Sequence, residues 1–164
     1  MHPNSMRLMG DFIKSHVGRF QGGRVLDVGS QNINGSYREI FFPHVKEYIG
    51  CDIVAGAGVD VLVEDMDHLP FKDGEFDAVI SGQTLEHAAH PWILVKEIAR
   101  VTKSGGAVCL IAPWRFYEHK DALCPFDRWR ILSDGMITLM TEAGLVTPQA
   151  FMDEDDCVGI AFKS

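Results

Sequence analysis

Arg24-Val25-Leu26-Asp27-Val28-Gly29-Ser30-Gln31-Asn32-Ile33-Asn34-Gly35 is the stretch that decides the fold. After Arg24, its first residues are apolar apart from one acid, Asp27, and Arg24 to Val28 reads as a short buried strand. Gly29 follows at once, so the backbone can turn sharply as it leaves that strand. A loop of small polar residues then leads to Gly35. Ser36-Tyr37-Arg38-Glu39 has the capping-box pattern that starts a helix, and Pro43 stops that helix early. The order is strand, glycine-bearing loop, helix.

The pattern continues on both sides. Upstream, Met6, Met9, Phe12, Ile13 and Val17 fall at helical spacing, which predicts a helix over Ser5 to Val17, and Gly22-Gly23 separates it from the strand. Downstream, strand signals recur at Glu47 to Cys51, Val59 to Glu64, Phe76 to Ser81 and Ala107 to Ala112. Between the last two, Pro91 suits a first helical position, Leu94, Ile98 and Val101 form one stripe, and Gly105-Gly106 closes the segment. A further helix is expected from a Ser133 cap through Met136, Leu139, Met140 and Ala143 to Gly144. Two last strands, Leu145 to Met152 and Cys157 to Lys163, flank the acidic turn Asp153-Glu154-Asp155-Asp156.

Strands alternating with helices imply right-handed crossovers and a largely parallel sheet covered on both faces. The closing strands are joined too tightly for a crossover, so they form a hairpin with an antiparallel strand. The expected fold class is therefore α/β: a Rossmann-like, largely parallel, doubly wound sheet with a C-terminal antiparallel hairpin. Repeats, low-complexity tracts and linkers are missing, so residues 1–164 read as a single domain.

Net charge is −8, and no stretch gathers Lys and Arg into a stripe. The counterion release that drives nucleic-acid binding has no source here, so no nucleic-acid partner is expected. The longest apolar run, Ala107 to Trp114, is too short to span a bilayer, so no membrane partner is expected either. Cys51, Cys109, Cys124 and Cys157 are scattered without a C-x-x-C pair, and they read as structural thiols in a reducing compartment. The opening Met-His-Pro-Asn-Ser is not a secretory leader. Cytoplasmic localisation is the expectation.

In such a sheet ligands bind beyond the carboxyl ends of the strands, so the polar residues there are the ones to read. The first loop offers Asp27, Gly29, Ser30, Gln31, Asn34 and Gly35. Its amides suit a carboxylate or a phosphate equally well. Asp27 would repel pyrophosphate but attract an ammonium; alternatively it bonds only its own loop. Asp52, with Ile53 beside it, ends the second strand about 25 residues beyond Asp27, the spacing at which an acid accepts ribose hydroxyls. Asp65 and Met66 close the third strand, where one can accept from an adenine amine and the other can lie on its ring, or both belong to a solvated acidic loop. Ser81, Gly82 and Gln83 end the fourth strand, and Gly82 permits close approach. His87, with an acid beside it, is either a general base or the start of the next helix.

Together these segments resemble class I S-adenosylmethionine-dependent methyltransferases, most of all the compact type 11-like branch. Members of that branch read V-L-D-x-G, L-P-F-x-D-x-x-F-D, L-E-H and R-V-L-K-P-G-G; the matches are Val25 to Gly29, Leu69 to Asp77, Leu85 to His87 and Arg100 to Gly106, with Thr102 and Ser104 as small departures. They occur in the right order across about half the chain. The loop departs from the usual D-x-G-x-G-x-G, with Gln31 and Ile33 at the later glycine positions. It is similar instead to a G-S-x-x-x-N-G-S variant, in which Asn34 and Gly35 restore flexibility because Asn tolerates left-handed backbone. The resemblance implies S-adenosylmethionine as cofactor. It places Asp27 and Gly29 at the methionine end, Asp52 at the ribose, Asp65 with Met66 at the adenine, and Ser81 to Gln83 on the methyl-transfer side.

A sulfonium methyl is already activated, so the protein has mainly to align an acceptor and exclude water. A hydroxyl acceptor also needs a base, for which His87 and His119 are the candidates. Substrate choice is expected in Trp114 to Arg130, rich in aromatics and in Arg115, Lys120, Arg128 and Arg130. Asp127-Arg128-Trp129-Arg130 resembles the D-Y-W-R stretch of methyltransferases of glycan assembly, so a small-molecule or sugar-containing acceptor is expected; the rival is a surface arm packed on the sheet edge. His87 and His90, with Glu86 adjacent, are i, i+3 histidines near a helix start that lack a third ligand at clear spacing, so no metal is expected. The acidic turn lacks the alternation and glycine of a calcium loop. Two other functions compete: a nicotinamide-dependent oxidoreductase, disfavoured because no G-x-G-x-x-G follows the first strand, and a non-catalytic nucleoside-cofactor-binding module, favoured by the altered loop.

Overall fold

The computed structural model describes residues 3–120 and 124–164. Helix α1 (Pro3–His16) leads through a short 3-10 turn to β1 (Arg24–Val28), α2 (Arg38–Phe41), β2 (Glu47–Asp52) and β3 (Val61–Leu62). There follow β4 (Phe76–Gly82), α3 (Pro91–Val101), β5 (Thr102–Pro113), α4 (Ser133–Glu142), β6 (Leu145–Asp153) and β7 (Asp156–Lys163). The seven strands form one sheet in the order β3-β2-β1-β4-β5-β7-β6. The strands from β3 to β5 are parallel, while β7 runs antiparallel to β5 and carries β6 on its outer edge. The order reverses between β1 and β4, and a crevice at their carboxyl ends follows from that reversal.

Alternation along each strand divides the core into two layers. Val25 of β1, with Ala78, Ile80, Cys109 and Ile111, faces Leu8, Met9, Phe12 and Ile13 of α1 and Phe41 of α2. Leu26 and Val28, with Val79, Val108 and Leu110, face Leu94, Val95 and Ile98 of α3 and Met136 and Met140 of α4. Gly159 of β7 lets α4 settle on the sheet, because an added Cβ would stand 2.5 Å from Cγ of Met136. Cys51, Cys109 and Cys157 are buried, and Cys124 is half-buried. Among the described residues no helix is long and apolar enough to cross a membrane.

Several elements differ from their sequence expectation for identifiable reasons. The third strand shrinks to Val61–Leu62 because the Asp60 carboxylate turns back, accepting from the Gly50 amide at 2.7 Å and pairing with Arg38. Gly105-Gly106 does not separate α3 from the next strand. Instead β5 starts directly at Thr102, and the glycines lie in an irregular stretch between the Phe76–Thr102 and Ala78–Ala107 pairs. The capping box before α2 does not form: Ser36 Oγ accepts only from the Arg38 amide two residues on, at 3.2 Å. Ser133 is the first helical residue of α4 rather than its cap, which is Leu132.

Candidate active site

The carboxyl end of β1 turns at Gly29, whose φ of +81° is open to glycine at little cost. The amides of Gly29 and Ser30 both donate to the Cys51 carbonyl, at 2.8 and 3.1 Å, which folds the loop back over β2. Asp52 joins the loop to the second strand: its Oδ2 accepts from the Gln31 amide at 3.0 Å and its Oδ1 from Val54 at 3.1 Å. Ser30 is buried with Oγ donating to Gly58 O, and Ile53 is exposed. Further along, the Gly35 amide donates to Asn32 Oδ1 at 2.8 Å. Left-handed backbone falls at Gly35 (φ 131°), whereas Asn34 is exposed with an ordinary negative φ, so the glycine alone supplies that bend.

Asp27 lies beneath this loop rather than on its rim. Its carboxylate is buried and accepts from the Tyr48 hydroxyl at 2.6 Å. Burial pushes its pKa up to about 7, opposed by the Tyr48 hydrogen bond and aided by the nearby Asp52 charge. The two glycines at the strand ends make room for protein. An added Cβ would lie 2.0 Å from Thr84 Oγ1 at Gly29 and 2.0 Å from the Tyr37 hydroxyl at Gly82. Gly82 thus admits Tyr37, itself hydrogen-bonded to Ser5 at 2.5 Å, where the sequence suggested a close ligand. Ser81 is also turned inward, its Oγ donating to Val28 O at 2.8 Å.

Asp65 is exposed, and its Oδ1 takes the amides of Asp67 and His68 at 2.8 and 2.9 Å. Its Oδ2 has no hydrogen-bond partner among the described residues. Met66 is half-buried against the α3 layer. The loop behind it is held by Arg100, which donates to the carbonyls of Leu69 and Phe71 and to the carboxylates of Glu97 and Asp73. Glu97 in turn accepts from the Leu69 amide at 2.9 Å.

On the other side of the crevice, Gln83 adopts φ 59° and donates through Nε2 to Asp156 Oδ1 at 2.7 Å. Asn4, Gln83, Pro113, Phe116, His119 and Asp156 are among the walls of a cavity of about 270 Å³. The His87 and His119 rings meet edge to face with centroids 5.2 Å apart. His87 precedes α3 and lies in a turn. Its Nδ1 stands 2.6 Å from the Phe126 carbonyl, so that nitrogen carries the proton and Nε2 the lone pair. Burial holds the His87 pKa below the usual histidine range, with the His119 ring acting the same way. His119 Nδ1 lies 3.2 Å from Asp127 Oδ2, and the same oxygen accepts from the His119 amide. Glu86 is fully buried, and burial pushes its pKa up to about 8.

Asp127-Arg128-Trp129-Arg130 fastens this arrangement. The amides of Arg128 and Trp129 donate to Glu86 O, Arg128 Nη1 to His87 O, and Trp129 Nε1 to Ala88 O. Arg130 grips Asp127 with two hydrogen bonds, of 2.6 and 2.8 Å, and holds its carboxyl well below the usual range. The cations expected to form a basic arm over a substrate are engaged within the chain: Arg115 with Asp155, Lys120 with Glu118, Arg128 with His87 O and Arg130 with Asp127. Residues 121–123 of the expected substrate segment lie outside the described residues.

The sequence signature of the methyltransferase domain family matches residues 26–110, just over half of the chain. The chain belongs to that family. S-adenosylmethionine is the cofactor that membership implies. An uncharacterized methyltransferase of Mycobacterium leprae is 34% identical over 120 residues, covering 65% of this chain and 44% of the relative. The chain thus spans under half the length of that curated relative. Two solved structures share the fold. A SAM-dependent methyltransferase from Aquifex aeolicus has a TM-score of 0.70 and 17% identity, with 100% of both chains covered. The 1,6-didemethyltoxoflavin N1-methyltransferase of Burkholderia thailandensis has a TM-score of 0.71 and 15% identity, covering 98% of this chain and 78% of that one.

The residues of this methyltransferase domain have donors and acceptors suited to an adenosyl group. A carboxylate has about four lone-pair sites, so Asp52 can accept ribose hydroxyls beside its two backbone amides. Asp65 Oδ2 is open for an exocyclic amine. The amides of Gln31 and Gly35 are committed to Asp52 and Asn32, so they do not offer the anion nest that the loop suggested. Sequence reasoning missed Tyr37, Tyr48 and Thr84, which fill the space beneath the strand ends, and the Gln83–Asp156 link. Only Tyr48, inside the strand signal Glu47 to Cys51, had a sequence setting that could have signalled burial. No spacing in the chain announces that His119 reaches His87.

Proposed function

We propose that this domain moves the methyl group of S-adenosylmethionine onto a hydroxyl-bearing small-molecule or sugar-containing acceptor held in the cavity beside His87 and His119. Residues 1–164 act as one unit in this reading, in a cytoplasmic setting. The observation that carries it is the pair of histidine rings, 5.2 Å apart at the carboxyl ends of β4 and β5, with His119 in the wall of a cavity of about 270 Å³. That volume is near the lower limit of ligand pockets and suits a small acceptor or one sugar unit.

Asp52 and Asp65 would hold the ribose and adenine of the cofactor, with Gly29 to Gln31 closing over its methionine end. When bound, S-adenosylmethionine supplies a methyl group already activated by sulfonium charge. The chain contributes positioning and proton removal. His87, neutral at pH 7 and with Nε2 unprotonated, takes the acceptor hydroxyl proton. His119, oriented by Asp127, is the alternative base or a hydrogen-bond partner to the acceptor. Tyr37 and Thr84 fill the space under the strand ends and keep water from entering from below.

An acceptor library assayed for S-adenosylhomocysteine release tests this. Release with one or more hydroxylated acceptors, strongly reduced in His87→Ala, is expected. Release only with amines, undiminished in that variant, contradicts the hydroxyl assignment.

A further inference from the structure

We propose that Glu86, His87 and His119 form a binding site for one divalent transition-metal ion, of the zinc type, with an open coordination position toward the cavity. One oxygen of Glu86 and one ring nitrogen of each histidine lie within 4.8 Å of one another, and His87 Nε2 is 3.7 Å from Glu86 Oε1. That separation is too long for a hydrogen bond. Metal–ligand bonds of about 2.0–2.2 Å place neighbouring ligand atoms roughly 3.3 Å apart, so side-chain rotation of about an ångström closes the site.

The second observation is independent of this proximity. Glu86 has no exposed surface, and neither of its carboxylate oxygens has a hydrogen-bond partner among the described residues. A buried carboxyl group without a hydrogen-bond partner is costly whether charged or protonated, and such groups are ordinarily paired or bound to a metal. Arg130 is spent on Asp127, which leaves the two neighbouring histidines as companions that become suitable once a cation lies between them.

Both histidines are also held as metal ligands are. His87 Nδ1 faces the Phe126 carbonyl and His119 Nδ1 faces Asp127, itself fixed by Arg130. An imidazole whose second nitrogen is tied to a carbonyl or carboxylate is oriented and made more basic toward a metal. Two imidazoles and one carboxylate suit zinc, cobalt or manganese better than magnesium or calcium, which favour oxygen donors. Three protein ligands leave a place for an exogenous oxygen, as in catalytic rather than structural zinc sites. His119 lines the cavity, so that place opens where the acceptor is proposed to sit. That the exogenous oxygen is the acceptor's rests on the proposed function, with the bound cation then acidifying the hydroxyl in place of His87 Nε2, whose lone pair it occupies; metal binding itself does not.

The test is calorimetric titration of the chelator-treated full chain with zinc chloride, paired with cobalt chloride followed by visible absorption, in the absence of any nucleoside. One equivalent of each metal is expected, with cobalt absorption showing low-symmetry coordination. His119→Ala should abolish that absorption with an unchanged circular-dichroism melt, and Glu86→Gln should weaken binding more than 10-fold without lowering the melt. Asp127→Asn should cost about 10–100-fold in affinity while leaving the stoichiometry at one. No stoichiometric binding by the wild type, or equal binding by the wild type and His119→Ala, overturns the site. A chain that binds one zinc through these residues yet methylates no acceptor keeps the site and loses the proposed function.

Discussion

The Tyr48 hydroxyl stands 2.6 Å from Oδ2 of Asp27 and donates to it inside the layer between β1, β2 and α2. This hydrogen bond is the main favourable contact of a carboxylate whose burial raises its pKa to about 7. Asp52 nearby raises it further, while Arg38 lowers it.

The consequence is a pH dependence of stability with a definite sign. The unfolded chain has Asp27 titrating near about 3.9, so between roughly pH 4 and 7 the folded state binds the extra proton. Stability from this group therefore falls as pH rises through that window. Asp27→Asn removes the charge, and its melting temperature should exceed that of the wild type at pH 8, with the gap closing by about pH 4. A difference between the two that is constant with pH would show that Asp27 titrates normally.

Gly82 and Tyr37 are packed without slack. Gly82→Ala should destabilise the chain by about 1–3 kcal/mol, the usual range for overpacking, because the added methyl group meets the Tyr37 hydroxyl and ring. Urea unfolding at fixed pH measures this. A neutral effect would mean that Tyr37 leaves the strand end readily.

Arg100 links α3 to the loop that follows Asp65. Arg100→Lys keeps the charge but loses the planar fork that reaches Leu69 O, Phe71 O and Glu97 together. Losses of about 1.5–3 kcal/mol are expected, the range for one hydrogen bond involving a charged group, with amide exchange rising in residues 65–73. Uniform exchange across the chain would argue for a general rather than a local effect.

His87→Ala should lower kcat by about 10²–10⁴-fold, the range for loss of a general base, with the dissociation constant for S-adenosylhomocysteine nearly unchanged. Full activity would reduce His87 to a structural residue.

Much of the fold was legible because it depends on local pattern. The largely apolar run Val25 to Val28, the Pro91 helix start and the tight acidic turn before β7 each fix their element within a few residues. The third strand is shorter than its pattern suggests because the Asp60 side chain bonds to the Gly50 amide and to Arg38, which sequence spacing does not reveal. Likewise Gly105-Gly106 looks like a break, and in the sheet it is a distortion of a continuing strand. At the site, the strand-end position of Asp52 followed from topology, whereas Asp65 lies in the loop three residues past β3, which ends at Leu62. The inward turn of Asp27 and Ser81 did not follow from topology, since it depends on Tyr48 and on the Val28 carbonyl across the sheet. The meeting of Glu86, His87 and His119 is a tertiary fact, produced by the Asp127–Arg130 clamp.

The measurement that bears most directly on the account is calorimetric titration of S-adenosylhomocysteine into the wild type and Asp52→Ala. One binding site per chain is expected, with affinity about 10–100-fold lower in the variant, corresponding to about 1.5–3 kcal/mol for hydrogen bonds to a charged carboxylate. Absence of binding by the wild type, or equal affinity in both proteins, would contradict an adenosyl site built around the end of β2.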